Sequence, residues 1–167
     1  MQSIVDPDTT GVSVKPHTVL AIEDNSSNFS LLGMILEGRP DVTLIGASQG
    51  SIGLELARQH HPDLILLDLH LPDIMGDEVL RRLKDDEATR DIPVVMLSAD
   101  ATPGQIERLL AIGAKKYLTK PLNVNQFLKV LEETLTKRDF VDVGDAVLNG
   151  GTDYQLPSPA TTGSRLG

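Results

Sequence analysis

Short apolar runs alternate with amphipathic segments along most of this chain, and the alternation limits its possible folds more than any other feature. Apolar residues at a period near 3.6 indicate helices, and short uninterrupted apolar runs between polar residues indicate buried strands. The predicted strands cover residues 19–22, 42–45, 64–67, 93–97 and 116–119. Strands that alternate with helices in this way favour an α/β fold, a parallel sheet with helices on both faces.

Each predicted strand precedes a segment whose apolar residues share one helical face. The predicted stripes are Phe29, Leu32 and Leu36; Ile52, Leu56 and Ala57; Val79, Leu80 and Leu83; Ile106, Leu109 and Leu110; and Val124, Phe127, Leu128, Leu131 and Leu135. Candidate N-caps are Asn25 or Ser26 for the first helix, Thr102 for the fourth and Asn123 for the fifth.

The third predicted strand is apolar without alternation, and a carboxylate, Asp68, follows at its carboxyl end. This pattern is typical of a central strand that is buried on both faces. The carboxyl ends of parallel strands lie at one edge of the sheet, where open α/β proteins bind their ligands. The polar residues that follow the other strands reach the same edge, namely Glu23, Asp24, Ser98 and Lys120.

These side chains form a combination suited to phosphoryl transfer. Two carboxylates about 4 Å apart repel each other by about 4 kcal/mol at an effective dielectric constant of about 20, so three of them need a compensating cation. Carboxylates, a carbonyl and water are hard oxygen ligands that suit Mg²⁺, or Mn²⁺. Lys120 supplies an ammonium group and Ser98 a hydroxyl, which makes Asp68 the candidate nucleophile that forms an acyl phosphate.

Four motifs, in order, resemble the motif set of response-regulator receiver domains: residues 22–25, residues 67–72 with Gly76, residues 97–99 and residues 119–121. The resemblance implies a flavodoxin-like (βα)5 fold with strand order 2-1-3-4-5. It also implies that Asp68 accepts a phosphoryl group from a histidine kinase or a histidine phosphotransfer protein. The sequence around Ser98 and Lys120 further resembles receivers at the C-terminal end of hybrid sensor histidine kinases.

The same resemblance assigns roles to the remaining site residues. Glu23 and Asp24 match the acidic pair that holds Mg²⁺ together with the phosphoacceptor, and the residue that usually adds its main-chain carbonyl is here His70. Ser98 matches the switch hydroxyl, and Tyr117 matches the switch aromatic that changes rotamer with it. The face formed by the fourth helix, fifth strand and fifth helix is then the expected contact surface for a downstream protein.

Composition and charge set the remaining expectations. We expect a flexible segment at residues 1–17, a receiver domain at 18–138 and a disordered tail at 139–167. The 167-residue chain carries 24 acidic against 15 basic residues, a net charge of −9, which argues against nucleic acid and anionic membrane as partners. It contains no Cys, which excludes disulfides and thiolate chemistry, and no signal peptide or apolar span, so we expect a cytoplasmic protein.

Two other functions share parts of this site. An aspartate-nucleophile phosphatase uses the same kind of nucleophile, hydroxyl and lysine, but it normally needs a second acid two residues after the nucleophile, where this chain has His70. A phosphorylation-independent interaction scaffold would keep the acidic pocket without using it. We therefore expect a receiver that assists its own phosphorylation and dephosphorylation and is not an enzyme acting on external substrates.

Overall fold

Strands and helices alternate throughout the described part of the chain, which comprises the backbone of residues 15–148 and the side chains of residues 15–136 of a computed structural model. The elements are β1 (His17–Ile22), α1 (Ser26–Leu36), β2 (Val42–Ala47), α2 (Gly50–His60), β3 (Leu64–Asp68), α3 (Gly76–Asp85), β4 (Val94–Ser98), α4 (Pro103–Ile112), β5 (Lys116–Thr119) and α5 (Val124–Leu148). All neighbouring strands are parallel, in the order β2-β1-β3-β4-β5. The predicted fold class and strand order are confirmed.

The interior strands explain the uninterrupted apolar runs of the sequence. β3 and β4 are buried along their whole length, and β1 is buried from Val19 to Ile22. Helices cover both faces of these strands, so successive apolar side chains enter one core or the other. The register pairs Ile22 with Leu67 and Asp68 with Leu97, which brings the carboxyl ends of the three strands together.

Two apolar cores lie on opposite faces of the sheet. α2, α3 and α4 pack on one face, where the buried residues include Leu20, Ile22, Leu54, Ile65, Leu67, Leu80, Leu83, Met96 and Leu109. α1 and α5 pack on the other face, where they include Val19, Leu32, Leu36, Leu64, Leu66, Val95, Phe127, Leu131 and Leu135. Each such side chain stabilises the fold by about 1.5–3 kcal/mol relative to its exposure to water, and most of them are aliphatic.

Helix α2 buries the predicted stripe except at one position: Ala57 is buried and Leu56 packs against the core. Ile52 was expected to face the core but is 40% exposed, and Leu54 is buried in its place. The helix approaches the sheet through Gly53, where an added Cβ would lie 2.7 Å from Cγ1 of Ile22. The helix is therefore turned so that Gly53 faces the sheet. The spacing of the larger apolar residues did not predict this rotation.

The prediction that Leu110 on α4 and Val124 on α5 face the core is also wrong. They are 44% and 43% exposed, whereas Leu109 and Phe127 on the same helices are fully buried. Both helices therefore keep apolar surface in contact with solvent.

The structure extends the last helix past the expected end of the domain. α5 reaches Leu148, whereas the tail was expected to begin at residue 139. At the other end, β1 starts at His17, inside the segment predicted to be flexible. The remaining parts of both predicted terminal segments, residues 1–14 and 149–167, lie outside the described residues. Within the described part, no helix has the length and apolar character needed to cross a bilayer.

Candidate functional site

Four strands deliver the candidate site residues to one edge of the sheet. Glu23 and Asp24 follow β1, Asp68 is the last residue of β3, Ser98 is the last residue of β4, and Lys120 follows β5. The side chain of Asn25 accepts hydrogen bonds from the first amides of α1, which ends the strand-to-helix turn just after the acidic pair. The parallel register thus places residues from distant parts of the chain side by side.

The acidic residues Glu23, Asp24 and Asp68 form a cluster in which carboxylate oxygens lie within 4.8 Å of one another. Glu23 is 4% exposed and Asp68 5%, whereas Asp24 is exposed. At such separations each pair of charges repels by a few kcal/mol at an effective dielectric constant of about 20. Three clustered carboxylates with one open side are the oxygen donor set that Mg²⁺ accepts, so these residues fit that ion.

Lys120 lies against two of these carboxylates. Its Nζ is 2.7 Å from Oε2 of Glu23 and 3.1 Å from Oδ2 of Asp68. Burial lowers the pKa of Lys120, but the hydrogen bond to Glu23 and the charge of Asp68 raise it by more, so its pKa lies above the ordinary value. The group is therefore a permanent ammonium that offsets part of the negative charge.

Glu23 has contacts that the sequence did not reveal. Its Oε2 accepts the hydrogen bond from Lys120, and its Oε1 accepts one from the amide of Asn25 at 3.0 Å. The motifs predicted Glu23 as a metal ligand only. Its side chain is longer by one methylene than the Asp that follows it, and this extra length was the available signal that it reaches a partner across the cleft.

The two predicted switch residues meet at Asp100, in the loop that follows β4. Ser98 is 1% exposed, and its hydroxyl accepts a hydrogen bond of 3.1 Å from the amide of Asp100. Tyr117 is half-buried and donates its hydroxyl to the carbonyl of Asp100. The first contact was predictable, because a serine hydroxyl often bonds the amide two residues on. The second depends on how β5 lies beside β4.

The loop between β3 and α3 is closed tightly at its base. The amide of Gly76 donates to the carbonyl of Leu69 at 2.8 Å, and a Cβ on Gly76 would lie 2.8 Å from the Cα of Leu69 and also clash with the carbonyl of Asp68. Glycine is therefore required here by the close approach of two chain segments. His70, just inside this loop, is exposed and directs its amide to Oδ1 of Asp68 at 3.3 Å.

A cleft of about 300 Å³ opens over the cluster, lined by Glu23, Asp24, Asn25, Asn28, Asp68, His70, Ala99 and Lys120. The structure thus brings together the predicted acidic residues, Lys120 and His70 around one opening. Ser98, at the end of β4, and Tyr117, on β5, both contact Asp100 in the loop that leads to α4.

Comparison with known proteins agrees with this geometry. Residues 19–132 match the family model of the response regulator receiver domain, and this chain belongs to that family. It is 41% identical over 118 residues to the polar-differentiation response regulator DivK of Brucella ovis, which covers 71% of this chain and 95% of that protein. The chain is therefore a receiver domain of two-component signalling, a family in which phosphorylation and Mg²⁺ are general features.

Two solved structures of similar fold are receiver domains, one from a sensor histidine kinase and one from a response regulator. One is the receiver domain of a sensor histidine kinase of Pseudomonas aeruginosa with magnesium coordinated in its active-site cleft, with 26% identity, a TM-score of 0.66, and 72% of this chain and 98% of that chain covered. The other is the Ssk1 receiver domain of Saccharomyces cerevisiae in complex with the histidine phosphotransfer protein Ypd1, with 25% identity, a TM-score of 0.67, and 74% and 92% covered. The closer resemblance to hybrid-kinase receivers stays a prediction.

Proposed function

We propose that Asp68 is the phosphoacceptor of this receiver, and that Glu23, Asp24, Asp68 and the main-chain carbonyl of His70 hold Mg²⁺ or Mn²⁺ beside it. The observation that carries the proposal is the cluster of carboxylates within 4.8 Å, contacted by one lysine. A cluster with this cost to stability is retained where a cation and an anionic substrate group are to be bound.

Transfer to Asp68 requires one bond to form and one to break. A carboxylate oxygen of Asp68 bonds to phosphorus while the bond from phosphorus to the donor imidazole breaks, and the imidazole nitrogen keeps that electron pair. Lys120, 3.1 Å from Oδ2 of Asp68, places positive charge where the phosphoryl oxygens arrive. The metal, when bound, supplies further positive charge to the same oxygens.

Phosphorylation of Asp68 changes the α4–β5–α5 face through Ser98 and Tyr117. Phosphorylation adds about −1.5 to −2 charge at the cleft, which attracts the hydroxyl of Ser98. When that hydroxyl turns towards the phosphoryl group, the amide of Asp100 loses its acceptor, and Tyr117 is bonded to the same residue. The loop before α4 thus changes its hydrogen bonds, and the equilibrium between two arrangements of the α4–β5–α5 face shifts.

This face offers a downstream protein apolar contacts. Leu110 on α4 is 44% exposed and Val124 on α5 is 43% exposed.

The phosphoryl donor is a histidine kinase or a histidine phosphotransfer protein, since the similar Ssk1 receiver was solved with Ypd1. We further propose that the protein works in the cytoplasm without contacting nucleic acid or membrane, and that it is not an enzyme on external substrates; the net charge of −9 supports the absence of polyanionic partners.

The direct test is phosphorylation by acetyl phosphate with Mg²⁺, followed by intact-mass spectrometry. The wild-type protein is expected to gain one phosphoryl group, and both the Asp68→Asn variant and a sample with excess chelator are expected to gain none. A wild-type sample without the adduct, or an adduct that persists in Asp68→Asn, contradicts the proposal.

A further inference from the structure

Asp73 ties the loop between β3 and α3 to the start of α2. Its Oδ1 accepts the amide of Gly50 at 2.7 Å, and its Oδ2 accepts the amide of Ser51 at 2.9 Å. These partners are 23 and 22 residues away in the sequence. One carboxylate thus makes two hydrogen bonds to the first turn of a helix that belongs to another part of the chain.

This contact replaces a local helix cap. Gln49, at the N-cap position of α2, makes no side-chain hydrogen bond to the helix, so the first amides depend on an acceptor from elsewhere. The hydrogen bond from the amide of Ser51 is the largest influence on the pKa of Asp73; burial opposes it, and the amide of Gly50 adds to the lowering. The carboxylate is consequently charged at neutral pH and lies at the positive end of the helix dipole.

The same loop carries His70 at the cleft. At its base the loop is held by the hydrogen bond from the amide of Gly76 to the carbonyl of Leu69. Near its tip, the side chain of Ile74 packs closely against Gly50: a Cβ added to Gly50 would lie only 3.0 Å from Cγ1 of Ile74. Asp73 and Ile74 therefore fasten the outer part of the loop to α2. His70 lies between the two fastened points, and its distance from Asp68 depends on both.

We propose that Asp73 is a positioning residue for the metal site: it holds the loop against α2 and so keeps the main chain of His70 at the rim of the acidic cleft. This inference rests on the proposed function, in which the His70 carbonyl joins the carboxylates in binding Mg²⁺. Partners that orient metal ligands from behind are known to affect metal affinity strongly although they do not touch the ion.

The experiment measures Mg²⁺ affinity by isothermal titration calorimetry in the wild type, Asp73→Ala, Asp73→Asn and Asp86→Ala. Asp86 is the matched control, since its carboxylate also accepts two hydrogen bonds and also contacts α2, through Arg58 at 2.5 Å, but at the end remote from the cleft. We expect Asp73→Ala to raise the dissociation constant for Mg²⁺ roughly tenfold and Asp73→Asn, which keeps one acceptor, to raise it less. Asp86→Ala is expected to leave it unchanged.

Hydrogen exchange of the Gly50 and Ser51 amides provides the second measurement. Faster exchange in Asp73→Ala together with weaker Mg²⁺ binding supports the proposal. Faster exchange with wild-type Mg²⁺ affinity, or an equal loss of affinity in Asp86→Ala, overturns it and leaves Asp73 as a helix cap only. If the wild type binds no Mg²⁺ and gains no phosphoryl group from acetyl phosphate, the proposed function itself fails; normal wild-type behaviour with unaltered Asp73 variants rejects only this inference.

Discussion

At the end of the sheet where the strands begin, the amino edge, Arg39 forms two ion pairs near the surface. At the carboxyl edge three carboxylates, two of them buried, lie in one cluster with one ammonium group. Arg39 near the start of β2 lies 2.7 Å from both Asp41 and Glu132. Lys120 at the opposite edge contacts Glu23 and Asp68, with Asp24 in the same cluster. The two edges belong to one fold and one acidic chain, so the difference lies in how charge is distributed.

The two edges differ in how their charged groups affect the stability of the fold. Exposed ion pairs each contribute little, typically about 0–1 kcal/mol, and they can be lost without consequence for a site. Buried like charges lower the stability of the fold, and natural sequences keep such conflicts mainly at functional positions. The buried carboxylates at the carboxyl edge therefore support the proposal that this edge is the functional one.

The largest expected effect comes from removing the ammonium group at the carboxyl edge. Lys120→Gln is expected to slow phosphorylation by acetyl phosphate roughly 100-fold, because the phosphoryl oxygens lose a fixed positive charge. Mg²⁺ binding is expected to be retained, since the carboxylates remain. The matched control is Lys116→Gln at the start of β5, the strand that Lys120 follows, where the lysine pairs with Glu133 at 3.5 Å on the surface. Equal loss of metal binding and phosphorylation would show that Lys120 only supports the fold.

The next effect concerns the close packing behind Asp68. Gly76→Ala is expected to destabilise the protein by about 3 kcal/mol, because the new methyl group meets the backbone of Asp68 and Leu69, which cannot move aside cheaply. Gly33→Ala on α1 is the control: its Cβ would have no atom within 4 Å, and the change is expected to stabilise by about 0.5–1 kcal/mol. Urea denaturation of both variants checks the opposite signs.

A smaller effect of opposite direction is expected at the cluster itself. Asp68→Asn removes one of three like charges and one buried carboxylate, while Lys120 keeps its contact with Glu23. We expect the metal-free protein to become more stable by about 2 kcal/mol. Thermal melts in chelator measure this, and an unchanged or lower midpoint would count against the view that the carboxyl edge carries an electrostatic cost. The same substitution at the amino edge, Asp41→Asn, is expected to reduce stability.

The smallest expected effect is the pH dependence of the stability that Asp41 contributes at the amino edge. The hydrogen bond from Arg39 lowers the pKa of Asp41 to about 2, against partial opposition from burial. A depressed carboxyl pKa contributes stability above the unfolded pKa of about 4, and the contribution disappears as pH falls towards 2. Urea melts of wild type and Asp41→Asn should therefore differ by less than about 1 kcal/mol at pH 6 and converge near pH 2. A constant difference across that range contradicts the assignment.

Much of the site was predictable because it follows from rules of chain geometry. Uninterrupted apolar runs predicted interior strands, and the common edge of parallel strands predicted that Asp24, Asp68 and Lys120 lie together. The same rules did not predict the rotation of α2, which exposes Ile52 and buries Leu54. Apolar periodicity reports that a helix has a buried face, but neighbouring small residues decide how that face is turned.

By itself the sequence determined the α/β fold class and the identity of the residues at the carboxyl edge, because these depend on patterns within short segments. The strand order was predicted from the resemblance of the motifs to those of receiver domains. Only the tertiary structure decided that Glu23 bonds to Lys120 and that Asp73 caps a helix more than 20 residues away. Such contacts depend on how closely separate elements approach each other. For α2 that distance depends on Gly50 and Gly53, where an added Cβ would collide with side chains of α3, of the loop before it and of β1.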